Sequence, residues 1–418
     1  MSQSSESSRD PSGSNPVPHK RRRRYPGTHP RRFEDKYKEH DPAQHPETVT
    51  RVMASGKTPA GMHRPVMMDE VMAVLSPAPG EVGVDCTLGY GGHAGELWRR
   101  IQPGGRLIAL DADPVELEKT GNRLRELFGP SPGLTLKNTN FAGISKALVS
   151  TEIEKANFIL ADLGVSSMQI DDPARGFSFK HDGPLDLRMN PRKGMPASFL
   201  LTKLTAEKLA KLLRDNADEP QAEALATKLI FEAGRGELQT TRKLAAAIET
   251  ALREAGYRLS PEELRSCQQR VFQALRIAVN DEFAALDMLL RQLPACLEPR
   301  GRVAILSFHS GEDRRIKHAF EKGWKEGWYS SIAEEVLRPT PEERHANPRA
   351  ACAKLRWAIR SERTTACVPE DLTGAIQSEH PLVLFRDSLI HGRGGFARGA
   401  IPASTRVIEY IGERITKA

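Results

Sequence analysis

The chain has 418 residues, 39% of them hydrophobic, enough for a sizeable core and for more than one domain. The formal net charge is +7, and much of it sits early, in HKRRRRY (19–25) and HPRRF (29–33). That placement admits a polyanionic partner such as RNA or DNA, or a solvated basic tail. The five cysteines (Cys86, Cys267, Cys296, Cys352, Cys367) form no CxxC pair and no HExxH occurs, which excludes a disulfide framework, a zinc ribbon and a recognisable metal motif. No apolar run reaches the roughly 20 residues of a membrane helix. The Ser-rich start has no apolar stretch behind it, unlike a secretory signal. Together these features predict a cytoplasmic protein with no membrane and no metal.

Residues 1–55 are rich in Ser, Pro, Arg and His and read as a disordered basic arm. Periodic structure starts in HRPVMMDEVMAVL, where Asp69 or a neighbour caps a helix with Val71, Met72, Val74 and Leu75 on its apolar face. EVGVDCTL reads as a strand running into a glycine-rich turn, and AGELWRRI as the helix behind it, stopped by Pro103 and Gly104. GRLIALDAD is a second strand. PVELEKTGNRLRELF is a helix with Pro114 at its start, where proline is tolerated. LTLKNTNF is a third strand, 143–149 a short helix, and ANFILADLG a fourth strand, continuously apolar as a buried parallel strand should be. This alternation predicts an α/β fold: a doubly wound, Rossmann-like parallel sheet.

The alternation then stops. Residues 171 to about 195 are rich in Asp, Gly, Pro and Arg, and the pattern from Thr205 to Leu293 is helical. Strand character returns at GRVAILSFHS. We therefore expect a first sheet part over 56–170 and a mainly helical insertion over 171–295 that walls the substrate cleft. A second sheet part over 296–360, a linker over 361–380 and a last segment over 381–418 complete the division.

In open α/β sheets ligands lie beyond the carboxyl ends of the strands, where strand order reverses. GYGGHAG (89–95) sits there and only loosely fits GxGxxG; no GK[ST] follows, so it is not a Walker loop. Asp85, at the end of the first strand, would repel a pyrophosphate and suits a ligand with positive charge. Asp111, at the end of the second, can take a ribose diol. The pair points to S-adenosylmethionine. It also disfavours a nucleotide-dependent oxidoreductase.

Seven stretches then carry a resemblance: HRPVMMDEV, VDCTLGYGGHAGEL, ALDADP, ILADLGVSSMQIDDPARGFSFKHDGPLDLRM, RVFQALRIAVNDE, GRVAILSFHSGEDRRIK and NPRAACAKLR. Over roughly residues 60–357 the chain resembles the bacterial 16S ribosomal RNA cytosine-N4 methyltransferases. The resemblance implies a class I methyltransferase fold, S-adenosylmethionine as methyl donor, and a cytidine of the decoding region of the small ribosomal subunit as acceptor. It implies donor contacts from Gly91, Gly92, His93 and Asp111, with Phe141 against adenine and Asp162 and Gln169 flanking DLGVSS. Many amino-methyltransferases carry [DNS]PPY after the fourth strand. Asp162 holds its first position here, but the prolines and the tyrosine are absent. Asp162 is thus a catalytic candidate as well as a donor contact. Asp186 is a second catalytic candidate, lining the cleft with Arg188.

RNA phosphates would meet Arg188, Arg192, Lys193, Arg314, Arg315, Lys317 and the arm. Departures from the family are Gly311, commonly leucine, and Ala351 and Cys352, commonly arginine and serine; neither departure is expected to touch the donor site. Ser307, His309, Ser310 and Asp313 lack a nucleophile elbow, so a polar strand end is expected there rather than a hydrolase triad. The last 38 residues resemble the opening of a SET domain, IHGRGGFA its first glycine motif and VIEYIGERIT its next strand pair, without the later motifs that complete that fold. Alternative functions are a lysine methyltransferase acting through this tail and a ribosome-assembly RNA-binding protein without catalysis. A homodimer is left open.

Overall fold

The computed structural model describes residues 65–129, 132–362, 383–388 and 392–397. Helix α1 (Met68–Leu75) buries Val71, Met72 and Leu75. Its preceding residue is Met67 in the left-handed region, with no side-chain cap, so Asp69 belongs to the first turn rather than the cap. Then come β1 (Val82–Asp85), α2 (Gly92–Ile101), β2 (Arg106–Asp111), α3 (Pro114–Phe128), β3 (Leu134–Asn138), α4 (Ile144–Val149) and β4 (Ala156–Asp162). Asp113 caps α3, its carboxylate accepting from Val115 N and Glu116 N. The short helix α5 (Ser167–Asp171) opens with a capping box between Ser166 and Gln169.

Five helices follow: α6 (Ala197–Lys203), α7 (Ala206–Ala217), α8 (Ala222–Gly234), α9 (Thr241–Glu254) and α10 (Pro261–Asn280). The chain returns through α11 (Glu282–Cys296), β5 (Leu297–Ser307), α12 (Ser310–Lys325), β6 (Tyr329–Ile332), α13 (Pro341–Ala346) and β7 (Lys354–Arg360).

The sheet has the order β3-β2-β1-β4-β5-β7-β6, parallel from β3 to β5, with β7 antiparallel to both neighbours. Its centre is β4, and the two-residue period of that strand feeds both faces. Phe158 and Leu160 join the core under α1 and α2, while Ile159 and Ala161 join the core under α4, α11 and α12. Both faces are therefore covered, as the unbroken apolar run ANFILAD requires.

Helices α6–α10 share a separate core, including Leu209, Leu213, Leu229, Leu244, Ile248, Val271 and Leu275. Leu286, Leu289 and Leu293 of α11 pack instead in the sheet's core. The helical unit, expected over 171–295, therefore ends in packing terms at Asn280. The apolar periodicity continues across the Asn280–Glu282 junction, which hides this change of partner from the sequence. Strands β8 (Val383–Ser388) and β9 (Gly392–Ala397) pair antiparallel as a sheet of their own. The basic arm and VIEYIGERIT lie outside the described residues.

Candidate active site

Strand order reverses between β1 and β4, so a crevice opens beyond their carboxyl ends. It is a cavity of about 1000 Å³, walled by the glycine turn, the ends of β2, β3 and β4, and on the far side by α10, α11 and the start of α12. Gly91, Gly92, His93, Asp111, Phe141, Asp162 and Gln169 all line it, so the structure gathers these seven expected residues around one space.

The turn is glycine-rich for packing reasons. Gly91 has φ of 80°, and a Cβ there would lie 2.7 Å from Thr120 Cγ2 of α3. A Cβ on Gly92 would lie 2.3 Å from Pro65 Cγ. The turn is thus wedged between α3 and the start of the described chain. Thr120 Oγ1 donates to Gly89 O at 2.6 Å, and Arg123 lies over the Tyr90 ring while donating to the Tyr90 carbonyl. Asp111 fastens the turn from the other side: Oδ2 accepts from Gly89 N and Oδ1 from Asp113 N, each at 2.7 Å. Burial raises the Asp111 carboxyl to about 7, with the Asp113 and Glu116 charges adding to the effect. Each oxygen keeps a lone pair for a diol.

Asp85 does something other than expected. It is 1% exposed, is absent from the cavity wall and accepts from Thr87 N at 3.0 Å. Burial raises it to about 6. The carboxylate that faces the cavity beside the turn is Asp162, at the end of β4. Burial, then the Asp85 and Glu312 charges, raise it to about 8. Its Oδ1 is buried without a hydrogen-bond partner, while Oδ2 lies 3.6 Å from His93 Nδ1. His93 Nε2 lies 3.1 Å from Val66 O, which can only accept, so Nε2 carries the proton and Nδ1 a lone pair. Burial lowers His93 to about 4, leaving it neutral at pH 7. An orphaned buried carboxylate oxygen needs a donor. That oxygen lies beneath the cavity surface, and it is the rest of the Asp162 side chain, 27% exposed, that reaches the cavity.

Gln169 lines the cavity, but its amide is engaged: Oε1 accepts from Ser166 N, and Nε2 donates to Asp113 Oδ2 at 2.9 Å. Asp113 is fully buried and also takes Arg175 Nη1 at 2.6 Å. Arg175 in turn donates to the carbonyls of Arg188 and Met189. This brace, absent from the sequence reading, ties the ends of β2 and β4 to the segment leading into the helical unit. Asp186 is part of that segment and does not line the cavity. Its carboxylate grips Arg188 at 2.7 and 2.8 Å; burial opposes its ionisation, but Arg188 holds it below the ordinary range.

The far wall was also not read from the sequence, although its residues sit in the quoted RVFQALRIAVNDE and SFHSGEDR. Arg276 makes two bonds to Glu282, at 2.8 and 2.9 Å, both groups nearly buried. Glu312 accepts from Phe308 N, and its Oε1 lies 3.2 Å from His309 Nε2. Burial would raise Glu312, but His309 and Arg276 keep it low. Asn280 bonds the backbone of Leu187 and Met189, closing this wall onto the brace. The only signal for these residues was polarity inside an otherwise helical pattern.

No triad forms in SFHS: Ser307 faces Lys354 O, Ser310 faces Asp218, and Asp313 is taken by Arg356 and Lys354. Gly311 has a packing reason, since a Cβ there would lie 2.7 Å from Phe283 Cζ. Ala351 and Cys352 do reach the cavity wall, with the Cys352 thiol close enough to feel the Glu312 charge.

Residues 60–361 match the MraW methylase family. The chain belongs to that family. It is 47% identical to ribosomal RNA small subunit methyltransferase H 2 of Alkaliphilus metalliredigens, over 82% of this chain and 97% of that one. It is 47% identical to ribosomal RNA small subunit methyltransferase H 1 of Lachnoclostridium phytofermentans (82% and 93%) and 45% identical to the enzyme of that name from Agathobacter rectalis (82% and 98%). This MraW-family protein is an S-adenosylmethionine-dependent methyltransferase of the Rossmann-like class I fold. The residues present fit that cofactor. The cavity is large enough, Asp111 has free lone pairs for a ribose, and the N-terminus of α2, which begins at the side-chain-free Gly92 on the cavity wall, suits the carboxylate of a methionine end. S-adenosylmethionine supplies a methyl group on a sulfonium.

Proposed function

We propose that the protein methylates the N4 exocyclic amine of a cytidine in the decoding region of 16S ribosomal RNA, within the small subunit and in the cytoplasm. Two things support this: the specific block from Ile159 to Met189, and relatives named as ribosomal RNA small subunit methyltransferases.

The cytosine amine is a poor nucleophile because its lone pair is delocalised into the ring. Acceptors aimed at its N–H bonds favour the tetrahedral shape that can attack. The observation that carries the proposal is the Asp162 carboxyl group on the cavity wall, 27% exposed, with the His93 ring 3.6 Å from its Oδ2. Asp162 and nearby backbone carbonyls hold the amine in line. His93 and the turn glycines, with Asp111, hold the donor. Most of the acceleration comes from alignment and placed dipoles. No strong base is needed first, because the amine becomes acidic once methylated.

The test is incubation with labelled S-adenosylmethionine and either undermethylated small subunits or histone-like peptides. Label on N4 of a cytidine is expected. Label only on lysine would move the activity to the SET-like tail, and RNA binding without label would leave a non-catalytic assembly protein.

A further inference from the structure

The cations expected to meet RNA divide into two groups. Arg188, Arg314 and Arg315 are each held by a carboxylate, Asp186, Asp218 and Asp287, and Lys317 lies 3.7 Å from Glu321. Arg192 and Lys193 have no carboxylate partner among the described residues, and neither does Lys203, a nearby cation that the sequence reading did not single out. These three lie on one short stretch that leaves the cavity rim. Lys193 and Gly194 line the cavity; Met195 and Phe199 follow, 47% and 45% exposed; and Lys203 Nζ lies 4.8 Å from the Phe199 ring centre.

This stretch is firmly mounted. The first turn of α6 donates from Ala197 N to Asp186 O at 2.8 Å and from Ser198 N to Leu185 O at 3.0 Å. Arg188, oriented by Asp186, also reaches Gly194 O. Asp186 thereby works as a positioning residue for the strip rather than at the cavity. An outward phenylalanine beside unneutralised cations, continuous with a cavity mouth, matches single-stranded nucleic acid, whose bases stack on aromatic rings and whose phosphates seek cations. A purely apolar partner would gain nothing from three free cations.

We propose that the strip Arg192–Lys203 holds the single-stranded RNA flanking the acceptor nucleotide, with Phe199 stacking on a base and Arg192, Lys193 and Lys203 meeting phosphates. This rests on the RNA reading above. The test uses the full chain and two probes, undermethylated small subunits and a naked 16S fragment, with affinity measured across a salt series. Phe199→Ala should weaken both about five- to hundred-fold, the range for losing one base–aromatic stack, and Phe199→Trp should retain binding. Lys203→Gln should reduce the salt slope by about one. S-adenosylmethionine affinity and the melting temperature should not change in any of the three.

Unchanged RNA affinity and salt slope in both Phe199→Ala and Lys203→Gln would overturn the proposal. So would a loss confined to assembled subunits, which would mean the strip meets a ribosomal protein. Weakened RNA binding by the variants, in a wild-type protein that transfers no methyl to RNA, would keep the strip and remove the reaction.

Discussion

The two walls of the cavity are built on different principles. The sheet side is made of backbone: a turn wedged between α3 and Pro65, fastened by Asp111, with no side chain at Gly91 or Gly92 to adjust. The helical side is made of buried charge, with Arg276 between Glu282 and Glu312 and Asn280 holding the neighbouring loop. A backbone wall is geometrically fixed and tolerates little change in shape. A charge wall tolerates changes in shape but not the loss of a counter-ion. Damage to the two sides should therefore read out differently.

The largest effect should come from the charge wall. Arg276→Met leaves Glu282 buried without a partner and should cost about 3–5 kcal/mol in urea unfolding. Removing both charges, as Arg276→Met with Glu282→Leu, should recover most of it. If the single variant unfolds like wild type, the ion pair does not hold that wall. Next comes the backbone wall. Gly91→Ala forces a side chain into a left-handed position and against Thr120, a strain of about 1–3 kcal/mol. Calorimetric titration should show that strain as weaker S-adenosylmethionine binding with RNA affinity retained; equal loss of both would erase the distinction.

Smaller still is a pH effect on the sheet side. A ribose diol donates to an ionised carboxylate. Donor affinity should therefore climb by at most about tenfold per pH unit up to about 7 and then level, as Asp111 ionises. Asp111→Asn should flatten the curve, and a flat wild-type curve would remove Asp111 from the donor site. The stability of the donor-free protein runs the opposite way. Asp111 and Asp162 have folded pKa values above the unfolded carboxylate value of about 3.9, so their contribution is fully present below that pH and is lost as pH rises toward 7 and 8. Glu312, Asp313 and Asp186 are shifted down and add no slope in this range. The melting temperature should fall between pH 6 and 8.5, and fall less in Asp162→Asn.

The sheet side was legible because its chemistry is written in local rules. A strand that ends in glycines, an Asp at the next strand end and an unbroken apolar β4 each imply a position. Asp85 shows the limit. The sequence shows that a carboxylate ends β1, but not which way it points, and in the fold it turns inward to Thr87 while Asp162 on the adjacent strand faces the ligand space. The brace through Asp113 and Arg175 and the Arg276–Glu282 pair were not legible, since each joins residues whose meeting depends on tertiary packing. In a helix such as α10, a polar residue facing a cavity and one facing water look alike in one sequence.

The central claim is that Asp162 serves the transfer rather than the holding of the donor. Single-turnover methyl transfer to undermethylated small subunits by Asp162→Asn, alongside equilibrium S-adenosylmethionine binding, tests it directly. The account predicts donor affinity near wild type with a transfer rate lower by about 10²–10³, the cost of removing one placed electrostatic partner. Donor affinity that falls in step with the rate would contradict it and make Asp162 a donor contact alone.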